Sequence, residues 1–170
     1  MTANAKAESE VHRLCPSDRD GVQALLERTG VFTPQEIDVA MEIVDTCFSH
    51  PEQRDYELWC SSDEKGRLVG YTCFGRTPCT DAVWDLYWIA VETGDQRRGL
   101  GSRLLRFTED WVRRERGRML MIETSSQPRY EGTRVFYLRH QYEELARVRD
   151  FYSVGDDKVE YGKRFSCGGG

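Results

Sequence analysis

The stretch Trp84-Asp85-Leu86-Tyr87-Trp88-Ile89-Ala90-Val91 leads through Glu92-Thr93-Gly94-Asp95 into Gln96-Arg97-Arg98-Gly99-Leu100-Gly101-Ser102. An apolar run, a glycine turn and an amphipathic segment in that order predict strand, loop and helix. Such a junction directs unpaired backbone N–H groups and the positive end of a helix dipole to one point, which makes a cradle for phosphate.

Downstream of the turn, apolar residues at 100, 104, 105, 107, 111 and 112 mark one helical face that ends at Gly117. Residues 119–123 then read as a buried strand, and a strand–helix–strand step implies a parallel pair. Upstream, residues 56–61, 68–74 and 83–91 read as three strands with short connections, the first two joined by the turn Asp63-Glu64-Lys65-Gly66. Together these predict a mixed, mostly antiparallel α/β sheet of six to seven strands with helices on both faces.

The flanks fit that plan. Residues 11–15 form a short strand ended by Pro16, and Ser17 stands as the cap of a helix closed by Gly30. Thr33-Pro34-Gln35-Glu36 combines an N-cap threonine, a proline at the first helical position and the reciprocal glutamate of a capping box. Ile37, Ala40, Met41, Val44, Cys47 and Phe48 follow at helical spacing. After the polar loop 124–128 come a short helix over 133–139 and two strands, 142–148 and 158–165, around Tyr152 to Asp157. Residues 11–165 are expected to form a single domain, between a disordered lead over 1–10 and a loose tail over 166–170.

A chain of 170 residues with 39% hydrophobic content supports one full core. A net charge of -5 argues against binding duplex nucleic acid and suits a cationic substrate. Six cysteines without a C-x-x-C pair and three scattered histidines show no zinc spacing, so no metal is expected and the thiols read as reduced. Neither a signal sequence nor a membrane-length apolar run is present, which makes the cytoplasm the default.

A Rossmann turn needs a third glycine where this chain has Leu104, and a P-loop needs Lys-Ser/Thr, so neither fits. Gln96, Gly99 and Gly101 instead resemble the Q/R-x-x-G-x-G/A signature of the GNAT superfamily of N-acetyltransferases, and the order of elements over residues 11–165 is similar too. The resemblance implies acetyl-CoA as cosubstrate. Its pyrophosphate would be held by amides of Arg97, Arg98, Gly99, Gly101 and Ser102, and its pantetheine arm would pair with Ile89 and Val91 on the preceding strand. For that arm to dock, the strand edge must be splayed from its parallel neighbour, usually by a bulge. An amide near Ala90 or Val91 would then polarise the thioester carbonyl.

Acetyl transfer to an amine needs a base for the amine and an acid for the departing thiolate. By resemblance Asp85 takes the base position, with Glu123 as a second candidate. Tyr137 takes the acid position in a frame with Tyr130, Thr133 and Phe136, although Tyr130 stands where asparagine is usual. Gln141 also stands where the following turn expects glycine. Phe151-Tyr152 resembles the aromatic pair of peptide α-amine acetyltransferases, making Tyr152 a rival acid or a substrate clamp. Asp85, Glu123, Asp156 and Asp157 with Trp84, Tyr87 and Trp88 would line an acidic, aromatic groove. The implied function is N-acetylation of a small-molecule amine or amino acid. The alternatives are a protein or peptide acetyltransferase and a non-catalytic acyl-CoA-binding module. Neither nucleic acid nor membrane is an expected partner, and a homodimer is compatible with the sequence.

Overall fold

The computed structural model describes residues 10–94 and 99–165. The expected lead before Glu10, the tail after Phe165 and Gln96, Arg97 and Arg98 lie outside them. The strands are β1 (Val11–Arg13), β2 (Glu57–Ser62), β3 (Leu68–Arg76), β4 (Val83–Val91), β5 (Met119–Ser125), β6 (Glu143–Ser153) and β7 (Asp156–Arg164). They form one seven-stranded sheet in the order β1-β2-β3-β4-β5-β7-β6. Every neighbouring pair is antiparallel except β4 and β5, which are parallel as the strand–helix–strand step implies.

Helices α1 (Arg19–Thr29) and α2 (Pro34–Ser49) cover one face of the sheet, while α3 (Leu100–Arg114) and α4 (Glu131–Arg139) cover the other. Val22, Leu25, Leu26, Ala40 and Val44 pack on Leu58, Cys60, Tyr71 and Cys73 on the first face. Leu105, Val112 and Tyr137 pack on Phe74, Trp84, Leu86 and Leu120 on the second. Each fully buried leucine of α3 contributes roughly 1.5–3 kcal/mol, which holds the helix against the sheet although its cap residue, Gly99, provides no side-chain cap.

Local chemistry sets the helix starts. In α2 the Thr33 hydroxyl accepts the Glu36 amide at 3.2 Å, and the Glu36 carboxylate accepts the Thr33 amide at 2.7 Å, completing the expected capping box. The first helix starts later than Ser17 would place it. Pro16–Asp18 form a 3-10 turn in which Asp18 accepts the Cys15 amide at 2.9 Å, and the α-helical ladder begins at Arg19.

One irregularity in β4 shapes the rest. Its register against β3 pairs Cys73 with Trp88 and then Phe74 with Leu86, so Tyr87 is an extra residue without a partner. This bulge reverses the alternation of the strand: Trp84 and Leu86 point under α3, but beyond Tyr87 it is Ile89 and Val91 that face α3, while Trp88 and Ala90 turn to α1 and α2. Pairing with β5 stops at the same place, running only from Val83–Met119 to Leu86–Ile122. Beyond it β4 stays with β3, and β5 continues to Ser125 along β7, so the two strands diverge.

The last hairpin is longer than its sequence suggests. β6 extends to Ser153 and β7 starts at Asp156, which brings Phe151 and Tyr152 into a strand. All eleven residues of β6 are exposed, so no apolar alternation marked its length.

Candidate active site

The divergence of β4 and β5 opens a cavity of about 840 Å³, walled by the start of α2, by β4 beyond Asp85, by β5 from Glu123, and by α4. Asp85 lies at its base in the last paired stretch of β4, opposite Met121. The Thr77 hydroxyl donates to its carboxylate at 2.6 Å. Burial raises the Asp85 carboxyl above its ordinary value, the Thr77 bond opposes this, and the charges of Glu123 and Glu160 push the carboxyl up further.

Tyr137 reaches the same cavity from α4. Its side chain is 3% exposed and packed among Phe136, Tyr142 and Tyr161. Its hydroxyl makes no hydrogen bond among the described residues, and burial raises its phenol well above the usual tyrosine range. The phenol is thus protonated at neutral pH, and Tyr137 is among the residues that line the cavity.

The other two candidates are joined to each other. The Tyr152 hydroxyl donates to Glu123 at 2.6 Å, and Lys158 stands 3.5 Å from the second Glu123 oxygen. A matching contact lies opposite: the Tyr130 hydroxyl donates to Glu36 at 2.6 Å, linking the capped start of α2 to the turn before α4. Burial raises the Glu36 carboxyl, but bonds from Tyr130 and Thr33 outweigh it and hold the carboxyl low. The tyrosine that replaces the usual asparagine therefore ties two walls together. Across 94 residues, nothing in the sequence announced that pair.

Asp156, buried and accepting the Ser125 hydroxyl at 2.6 Å, also lines the cavity, as do Tyr87 and Trp88. Two expected groove residues are elsewhere. Trp84 is buried in the core beneath α3, because it precedes the bulge and has the parity of Leu86. Asp157 serves the β6–β7 hairpin, accepting the Asp150 amide at 3.1 Å and pairing with Arg147 at 3.2 Å.

At the other end of the diverging edge, Gly99 is left-handed at φ 77° and caps α3, and Gly101 lies in the first turn, where amides lack helical acceptors. The Ser102 hydroxyl is 2.9 Å from His140 Nε2, and His140 Nδ1 is 2.8 Å from the Phe136 carbonyl, which links the start of α3 to α4. Glu92 donates its amide to Val69. By strand alternation the Ala90 amide is therefore turned toward β3, and Ile89 and Val91 occupy the positions that face the opening. Gln141 adopts φ 65° where glycine was expected, so the strained turn is present in full.

A sheet opened between parallel neighbours, with a helix start that lacks a side-chain cap at one end of the gap and a carboxylate and a phenol at the other, defines an acyl-CoA-type acyltransferase fold. A family model for the GNAT acetyltransferase domain matches residues 54–144. The chain is 39% identical to a protein of Desulfovibrio desulfuricans assigned to the GNAT acetyltransferases, covering 92% of this chain and 99% of that one with a TM-score of 0.88. This chain belongs to the GNAT acetyltransferase family.

More distant structures share the fold alone. A ribosomal-protein-alanine N-acetyltransferase of Escherichia coli is 16% identical over 95% of this chain and 97% of its own, with a TM-score of 0.76. An aminoglycoside 6'-N-acetyltransferase solved with coenzyme A is 18% identical over 91% of this chain and 96% of its own, with a TM-score of 0.72. No curated protein matches the chain in sequence.

Proposed function

We propose that this protein transfers an acetyl group from acetyl-CoA to the primary amine of a small molecule. The observation that carries this reading is the opening of β4 from β5 at Tyr87, which places Asp85 and Tyr137 in the walls of one cavity. The chain's residues fit the cosubstrate. Gly101 has room for a Cβ, whose nearest neighbours would be Phe136 at 3.6 Å and Val91 at 3.7 Å, so packing does not demand glycine there. Close approach of a ligand's phosphates accounts for it. The amides of Gly99, Gly101 and Ser102, with Gln96, Arg97 and Arg98 ahead of them, would hold the pyrophosphate, and Ile89 and Val91 would align the pantetheine arm. Bound acetyl-CoA supplies an activated thioester.

Asp85 takes a proton from the arriving ammonium, directly or through water; the neutral nitrogen then attacks the acetyl carbonyl and sheds a second proton to solvent as the amide forms. Tyr137 gives its phenolic proton to the departing sulfur and recovers one from solvent. Glu123 and Tyr152 act as a pair that closes one side of the cavity, as Glu36 and Tyr130 close the other. These two closures favour a small acceptor. The carboxylates of Glu36, Asp85, Glu123 and Asp156 outnumber the cationic Arg129 in the walls, which favours an acceptor that arrives positively charged.

Exposed Phe151 and Tyr152 on β6 give a specific reason to keep a peptide amine as a second reading. The test is thiol release from acetyl-CoA with a panel of amines, amino acids, polyamines, aminoglycosides and peptides. Turnover with small amines supports the proposal, turnover with peptides alone transfers it to the second reading, and tight coenzyme A binding without turnover replaces both with a binding module.

A further inference from the structure

At the β1 edge of the sheet, three strands from the cavity, a second group of reactive side chains converges. His12 on β1 is the direct partner of Cys60 on β2, and His12 Nε2 lies 3.2 Å from Cys60 Sγ. Asp18, in the 3-10 turn that folds over this pair, brings Oδ2 to 3.9 Å from the same sulfur. All three donor atoms lie within 4.8 Å of one another. His12 Nδ1 stands 3.4 Å from the Glu10 carbonyl, which can only accept, and a proton on Nδ1 would leave the Nε2 lone pair aimed at the cluster. The Asp18 oxygen is held in place by the Cys15 amide at 2.9 Å. No lysine or arginine among the described residues forms an ion pair with Asp18.

We propose that His12 Nε2, Asp18 Oδ2 and Cys60 Sγ bind a divalent cation of the zinc class, with water as the fourth ligand. Imidazole, carboxylate and thiolate form a borderline donor set that suits zinc and its cobalt surrogate. Ligands at zinc distances in a tetrahedron stand about 3.3–3.8 Å apart. The observed 3.2 and 3.9 Å separations bracket that range. The Glu10 carbonyl and the Cys15 amide fix two of the ligands from behind. The Cys15 thiol points instead to the Arg13 carbonyl at 3.6 Å, which leaves the fourth position to water. On binding, the Cys60 thiol loses its proton to solvent as the sulfur–metal bond forms, and no electron is transferred. The ion would fasten β1 and the entry to α1 onto β2, a structural role independent of acetyl transfer.

Cobalt(II) titration of the chelator-treated full chain tests this, with zinc competition and thermal melts alongside. The expected result is one equivalent of cobalt with a thiolate-to-metal charge-transfer band, displacement by zinc, and a melting temperature raised by zinc. The band should vanish in Cys60→Ser and persist in Cys47→Ser. His12→Gln and Asp18→Asn, which lie at the sheet edge and retain the turn's backbone contacts, should each weaken binding at least about tenfold. Absence of the band at saturating cobalt in the unsubstituted protein overturns the proposal. So does its survival in Cys60→Ser, or unchanged affinity in both His12→Gln and Asp18→Asn.

Discussion

Replacing Gly101 by alanine should move stability and cofactor affinity in opposite directions. Gly101 lies in the first turn of α3, outside the left-handed region that Gly99 occupies, so an alanine fits its backbone. The added methyl would meet Phe136 at 3.6 Å and Val91 at 3.7 Å, both ordinary contacts. Alanine is favoured over glycine by about 0.8–1.0 kcal/mol within a helix, chiefly because the unfolded chain loses freedom. For a chain of this size that is a rise of roughly 2–4 °C in melting temperature. Coenzyme A should bind about tenfold more weakly, a loss of about 1.4 kcal/mol, if the proposed phosphate site is right and the methyl stands in the way of the phosphate. Thermal melts of the free protein and calorimetric titration with coenzyme A measure the two effects separately. Unchanged affinity would refute the phosphate reading of this glycine. A drop in stability of 1 kcal/mol or more would refute the packing argument.

Tyr137→Phe removes a hydroxyl without a hydrogen-bond partner among the described residues, so the melting temperature and coenzyme A affinity should hold while turnover falls about 10²–10⁴-fold, read by thiol release. Undiminished turnover would pass the acid role to Tyr152 or water. Asp85→Asn should cause a similar loss and flatten the rising limb of the pH–rate profile. Because folding raises the Asp85 carboxyl, the contribution of that group to stability is complete below the ordinary carboxyl range and is lost as pH rises through the raised value. The asparagine variant should therefore be the more stable at neutral pH, with the gain fading in acid, and melts at several pH values check the sign. Gln141→Gly relieves a left-handed residue costing about 1–2 kcal/mol, against about 0.4–1 kcal/mol for the looser unfolded chain. A net gain of up to about 1.6 kcal/mol is expected in denaturant unfolding, and a loss would mean that the Gln141 side chain contributes more than its backbone costs.

What the sequence made legible was local. The Thr33–Glu36 box, the stripe of α3 and the parallel β4–β5 step all follow from spacing within one element or across one connection, and each is present in the structure. Long-range pairings left no such trace. Tyr130 meets Glu36 and Tyr152 meets Glu123 because the fold brings distant walls together, and side-chain spacing carries no record of that. His12, Asp18 and Cys60 fell outside the metal patterns for the same reason, since those patterns read ligands close in sequence. Trp84 failed in another way: it was grouped with Tyr87 and Trp88 as a groove residue, but it precedes the break in the alternation of β4 at Tyr87 and lies with Leu86 under α3.

That break explains more than one misplaced tryptophan. Had β4 kept a regular register, Trp88 and Ala90 would follow Leu86 toward α3, and Ile89 would face α1 and α2. Both cores would then present the wrong side chains. The extra residue at Tyr87 corrects the parity, and the bend it introduces ends pairing with β5 immediately after Leu86. One insertion therefore sets the face of every residue beyond it and opens the edge on which a pantetheine arm would align. It also leaves Asp85 in the last paired stretch, held by Thr77 at the base of the opening. The packing of the hydrophobic core and the position of Asp85 are, in this protein, consequences of the same backbone irregularity.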